Sequence, residues 1–466
     1  MMEWASRTRR FDFAFAWLAP LLLLLSFLPT ASVGYVESSV LATLLALLAA
    51  LFCAADVFRA AAPKARPAWF ARVLALLLLL WCLFQIVLPA CFLPGWMRWQ
   101  GPADLLSDIA AHSRFPLPLA VNPHASVHAL LLWSALAFFS VAASRRLFHS
   151  RPRFVFLSLF VSAAFLEALY AIFFRDPGTP RIHGHFANAD AFAGLLAMSS
   201  SVTLGLLLAS CLHEAPRGSR SFARWLAGRS SFGAAPFWIA ALLVQWGAIF
   251  ASGSRGAALA ALVAALALLV PAAVTRPILR RALLLFLPVL LALGVLFQYN
   301  AMRQNVLDRA QSGDVVSQTI PRTTIWRAAV RFVHDFPAGA GPDGMRHFLS
   351  HYQDPARHGA RTLDYAHNDT LQFLGDLGIP GFALLLLLLF LAVRAVRACR
   401  ALPYANDNRL SSSPWILRVC AAALLAALLH VQVEFNLSAR PPLQLSFLLL
   451  AAVLVSAGRP RPEKSS

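Results

Sequence analysis

The stretch with the most chemistry per residue is YAHNDTLQFLGDLGIPGFALLLLLLFLAV, residues 365–393, where His367, Asn368 and Asp369 stand just ahead of a long apolar run. An imidazole can take or give a proton near neutral pH, an amide donates and accepts hydrogen bonds, and a carboxylate accepts them. A second stretch, SGSRGAALAAL, sets Arg255 in a tight turn between two short apolar segments, 237–251 and 257–270. Its neighbours Gly253 and Gly256 are small enough to let a ligand come close. Arg322 stands in RTTIWRAAVRFVHDF, four residues before Trp326. RIHGHFANADAFAGLLA contributes Asn188 and Asp190 with Arg181, His183 and His185 nearby, and HVQVEFNLSARPP contributes Glu434 and Asn436 ahead of Pro441 and Pro442. Arginines, histidines and amides with few acids among them describe an anion site. Arg holds phosphate oxygens through two parallel donors and keeps its proton, so it suits a diphosphate better than Lys does.

Each position also has a plainer reading. Asp369 is followed three residues later by Gln372, the spacing of a helix N-cap with its reciprocal partner, and Leu371 with Leu374 gives an apolar face. A short helix is expected to start there and to break at Gly378, Pro380 and Gly381. His367 reads as an interfacial histidine, Arg255 as a side chain snorkelling to headgroup phosphate, and Arg322 as the solvated face of a surface helix. Asn188, Asp190, Glu434 and Asn436 all read as caps or loop punctuation. What distinguishes function from punctuation is convergence on one place.

The elements that must position these residues follow from composition. Of 466 residues 59% are hydrophobic and 13% charged, more apolar matter than a soluble domain buries. The apolar runs are continuous rather than alternating, which selects helices over a barrel, so the fold class is all-α and polytopic. Spans are expected near residues 13–30, 37–56, 70–93, 126–144, 154–174, 190–212, 237–251, 257–274, 282–299, 378–394, 416–434 and 441–457, about twelve in all. Lys+Arg number 40 against 21 Asp+Glu, a net charge of +19. Alternate loops carry that excess, with Arg7, Arg9 and Arg10, then Arg59, Lys64 and Arg66, then Arg145, Arg146, Arg151 and Arg153, and so on to Arg459, Arg461 and Lys464. The positive-inside rule places these loops and both termini in the cytoplasm and accounts for the charge without nucleic acid. Residues 13–30 lack a small-residue cleavage site and read as a retained first helix. The cysteines lie in or beside spans without C-x-x-C spacing and imply neither a disulfide framework nor a metal site. The opposite loops, 94–125, 175–189 and the large 300–377, lie outside. The last should contain a helix at the membrane surface, with Ile325, Ala329 and Phe332 on one face. The domains are thus 1–299, the loop 300–377, and 378–466.

Five stretches, GHFANADAFAG, SGSRGAALAAL, RTTIWRAAVRFVHDFPAGAGPDGMRHF, AHNDTLQFLGDLGIPG and HVQVEFNLSARPP, resemble in chain order the O-antigen ligase and polymerase superfamily of bacterial envelope proteins, over residues 184–442. Asp190 stands where many relatives have Asn, and Glu434 where many have Asp. The resemblance implies a GT-C-like polytopic enzyme of the inner membrane that takes a glycan from undecaprenyl diphosphate at the periplasmic face, without metal or other cofactor. The acceptor is lipid A-core or a growing glycan. It implies that Arg255 and Arg322 hold the diphosphate and that His367 acts on the acceptor, with Asn188, Asn368 and Asp369 as further substrate contacts. A ligase, a repeat-unit polymerase and a protein glycosyltransferase share these motifs, and the reading leans to the ligase. A polyprenyl-glycan transporter is the alternative of a different class. It would carry ionisable groups deep within its spans, whereas here they gather at one face.

Overall fold

The computed structural model describes residues 2–27, 35–57, 69–89, 119–147, 150–175, 181–213, 234–275, 322–353, 363–400 and 413–457, with a few isolated positions between them. Their regular elements are helices: α1 (Met2–Phe27), α2 (Tyr35–Val57), α3 (Trp69–Val87), α4 (Pro123–Arg146), α5 (Ser150–Phe173), α6 (Ala189–His213), α7 (Ala235–Ala251), α8 (Arg255–Thr275), α9 (Arg322–Asp335), α10 (Asp369–Arg400), α11 (Ser413–His430), α12 (Asn436–Ala439) and α13 (Pro441–Ala457), with two 3-10 turns over 345–352. Eleven of the expected spans fall on these helices. The expected span 282–299 and most of the Arg-rich loops lie outside the described residues. Among the described residues five helices are by themselves long and apolar enough to cross a bilayer: Pro123–Arg146, Arg151–Phe173, Ala189–Ser210, Arg255–Ala273 and Asp369–Leu391. The chain is a membrane protein whose described regular elements are all helical.

Helix α6 is the hub. It packs against α7, α8 and α11 and is buried almost throughout. Its Ser199, Ser200, Ser201 and Thr203 let neighbours come close, and Gln245 on α7 exchanges hydrogen bonds of 3.0 Å with Ser199 and Thr203. Small residues and paired polar groups are what join helices where the solvent is as apolar as the core.

The expected break falls within α10, where Gly378 takes φ 66° and ψ −179°. A Cβ there would stand 2.2 Å from the Ala338 carbonyl carbon, so only glycine fits. The kink frees backbone groups, and neighbouring elements satisfy them. In a regular helix the Asp376 carbonyl would accept from residue 380, which is Pro380 and has no N–H. Gln85 of α3 donates to it instead at 3.1 Å, Trp81 donates to the Leu377 carbonyl at 2.7 Å, and Ile379 N–H reaches the Pro337 carbonyl at 2.9 Å. Irregular backbone is tolerated here because protein covers it.

Ile325, Ala329 and Phe332 share the expected face of α9, and that face, with Ala328, is buried against Phe336, Met345, Leu349 and Tyr352. Protein, not lipid, covers it, because the chain folds back through the 3-10 turns onto α9 and α10.

Candidate functional site

The segment leading into α10 is held from both sides. Asn368 is the N-cap: its Oδ1 accepts from Leu371 N–H at 3.1 Å, and its Nδ2 donates to the Gln432 carbonyl at 2.9 Å. Gln372 reaches back to Ala366 N–H at 3.1 Å. The cap expected at Asp369 is therefore one residue earlier. Asp369 is fully buried and caps a different element, α12, accepting from Leu437 N–H at 2.6 Å, Ser438 N–H at 3.0 Å and Ser438 Oγ at 2.5 Å. The reason is tertiary: the loop after α11 arrives beside α10 with its own backbone donors unsatisfied, and a carboxylate serves two of them and the Ser438 hydroxyl, where an amide oxygen serves fewer donors.

Between these anchors His367 has φ 48°, the left-handed region that non-glycine residues occupy at a cost of about 1–3 kcal/mol. Strain of that kind persists where the surroundings over-determine it, and here they fix the ring as well. His367 Nδ1 lies 3.4 Å from Glu434 Oε2, and the ring stands edge-on to Phe435 with centroids 4.7 Å apart. Its other nitrogen, Nε2, has no protein partner among the described residues. Glu434 is 2% exposed, and its second oxygen, Oε1, pairs with the Arg322 guanidinium. Glu434 thus joins two candidates that lie 45 residues apart in the chain, Arg322 and His367.

Arg255 is the first residue of α8, and its side chain is exposed with no hydrogen bond or ion pair among the described residues. A cation there adds to the positive end of the helix dipole, an arrangement that repels other cations and draws anions. The turn carrying it is fastened from beneath. Arg181 donates to the Ser252 carbonyl and pairs with Asp190 at 2.8 Å. Ser254 Oγ lies 3.5 Å from the Nε2 of buried His430, whose Nδ1 meets Asn436 at 2.9 Å. Gly256 packs on His430 and Val433, so the turn abuts the same 430–440 segment that holds His367. Asn188 accepts from Asp190 N–H at 2.8 Å and caps α6, which occupies the oxygen expected to meet substrate.

A second polar group flanks the site. Tyr365 stacks on Phe435 with centroids 4.3 Å apart, and Arg346 donates to the Tyr365 hydroxyl at 2.8 Å while pairing with Asp343 at 3.0 Å. Burial pushes the Asp343 carboxyl up to about 6, partly offset by the charge of Arg346. Burial likewise raises the Tyr365 hydroxyl and lowers Arg440. Glu434, Phe435, His430 and Tyr365 were not legible as a group. HVQVEFNLSARPP reads in sequence equally as function or as punctuation, and no spacing rule links it to residue 367.

Residues 240–386 match the family model for O-antigen ligase. Over this span the chain is similar to the O-antigen ligase family. The matched residues contain Arg255, Arg322, His367, Asn368 and Asp369, while Glu434, which binds two of them, lies beyond. A search of curated proteins finds no match to the chain.

Proposed function

We propose that this protein is a glycosyltransferase of the bacterial inner membrane that moves a glycan from undecaprenyl diphosphate to an acceptor hydroxyl at the periplasmic face, as an O-antigen ligase does. In this reading both termini are cytoplasmic, 300–377 is the periplasmic loop between the membrane regions 1–299 and 378–466, and lipid A-core is the acceptor. The observation that carries the proposal is the strained His367 seated against Glu434, with the unpaired Arg255 on the adjoining turn.

The chemistry follows from that placement. Breaking the bond from sugar to phosphate develops negative charge on the leaving diphosphate, which a fixed guanidinium at Arg255 stabilises with no proton to move. The acceptor hydroxyl loses a proton as it attacks, and His367 receives it through Nε2 while Glu434 faces the imidazolium that forms. Arg322 neutralises Glu434 between turnovers and orients it, so it acts through Glu434 rather than on substrate.

The test uses purified protein with lipid-linked donor and acceptor. His367→Ala should lower turnover by roughly 100-fold to 10,000-fold, the range of a general base, while donor binding survives. Transfer near the wild-type rate would remove His367 from the chemistry. In cells, loss of the gene distinguishes a ligase, which leaves lipid A-core bare of polysaccharide, from a polymerase, which leaves single repeats.

A further inference from the structure

Arg440 follows α12 and leads into α13, and it is 9% exposed. Its Nε is sealed from solvent with no hydrogen-bond partner among the described residues. The guanidinium lies over the Phe435 ring, 5.1 Å from the centroid, and the same ring carries the His367 imidazole edge-on at 4.7 Å. The neighbouring acid, Glu434, has both oxygens engaged by Arg322 and His367. Tyr365 and Glu434 favour the Arg440 charge without a direct bond to it, and a second cation, Arg346, itself tied to Asp343 and Tyr365, opposes it. A buried cation lacking both an acceptor and a carboxylate of its own costs folding free energy unless something from outside completes it.

We propose that Arg440 is a second anion-holding guanidinium of the site, taking an oxygen of the donor's diphosphate alongside Arg255. The inference rests on the transfer reading, since the anion it names belongs to the donor. Two phosphoryl groups carry the charge, and among the described residues around His367 Arg322 is bound to Glu434 while Arg255 stands open on the adjoining turn, which leaves Arg440 to meet the second. Nε with a neighbouring Nη forms one of the two-donor edges by which guanidinium grips phosphate, and the orphaned Nε is half of that edge. An acidic sugar offers anionic oxygens of the same kind, so the test must separate the two sources.

Full-length protein in nanodiscs is titrated with inorganic diphosphate, undecaprenyl diphosphate and glucuronate. Arg440→Met keeps apolar contact with Phe435 and removes the charge, and Arg440→Lys keeps the charge and removes the fork. R440M should weaken both diphosphate probes about tenfold or more, with R440K between it and wild type, and ligand-free R440M should melt no lower than wild type. Diphosphate affinity within twofold of wild type in R440M overturns the proposal, as does a response confined to glucuronate, which would put the anion on the glycan. If R440M fails to fold, R440K decides, and unchanged diphosphate affinity there overturns it equally. Arg255→Gln serves as the control. Weakened diphosphate binding in R255Q beside unchanged binding in R440M defeats only the role of Arg440, whereas no response in either variant defeats the transfer reading itself.

Discussion

Replacing Glu434 with Gln isolates what the carboxylate contributes, because the side chain keeps its volume and one carbonyl oxygen. Its stability role is modest. Two charge-assisted contacts are lost, each worth about 1.5–3 kcal/mol when buried, but Arg322 is 44% exposed on its side chain and regains water. A net loss of about 1–2 kcal/mol is expected. The effect on rate is larger, because the imidazolium formed during transfer faces Glu434 across 3.4 Å. Coulomb's law at that separation gives about 1.2 kcal/mol in a water-like medium and about 5 kcal/mol at an effective dielectric of about 20. His367 is 33% exposed on its side chain, which places it between those limits. About 2.7 kcal/mol corresponds to a turnover roughly 100-fold below wild type. Donor KM should move by less than about threefold, since Glu434 does not meet the diphosphate. The assay is single-turnover transfer by nanodisc-embedded protein, with circular dichroism melting to confirm the fold. Folded E434Q protein turning over within threefold of wild type would refute the claim that Glu434 stabilises the charged imidazole.

Arg255→Lys should lose transfer nearly as fully as Arg255→Ala, at unchanged protein level, because a point charge does not reproduce a two-donor contact; full activity in the Lys variant would return Arg255 to a headgroup anchor. Asn368→Ala should lower stability by about 0.5–2 kcal/mol through loss of the cap, read as a lower melting temperature with donor binding intact. Asp343 carries a carboxyl raised to about 6, so its contribution runs against stability as pH rises from about 4, its unfolded range, to about 6, and is constant above that. Asp343→Asn, which also suits φ 60°, should flatten thermal stability across that window and raise it at pH 7.5; a lower melting temperature there would show that the Arg346 pair outweighs burial.

Membrane class and helix placement were legible because they depend on composition and on run length, which are local. The kink was legible too, since Gly378 and Pro380 carry their backbone limits with them. Cap identity was not. Asn368 and Asp369 are both good cap residues in adjacent positions, and the choice between them was made by Leu437 and Ser438, nearly 70 residues away. The apolar face of α9 is legible as a face, but what covers it is not, because periodicity says that a stripe is covered and not by what. Arg322, His367 and Glu434 each stand out in the sequence separately, but nothing in it links the three, since a buried glutamate at a helix end is indistinguishable in sequence from a cap.

Two buried carboxylates do the joining, and their division of labour explains why the site is rigid where its segments are loops. Asp369 binds the backbone of 437–438, Asp369 N–H binds the Val431 carbonyl at 2.9 Å, and Glu434 binds His367 from the same segment. With the bond from Asn368 to the Gln432 carbonyl, the 363–369 and 431–438 segments are therefore joined at four points at least, two of them through buried acids. A loop fixed at one point can swing; a loop fixed at several points flanking one residue cannot, and the residue so flanked is His367 in its left-handed conformation. Releasing the strain would require breaking the Asp369 contacts with α12 as well as the contact with Glu434. Rotation of the ring is thereby opposed by the packing of the fold itself, and under the proposed transfer reaction His367 would enter each turnover already aimed.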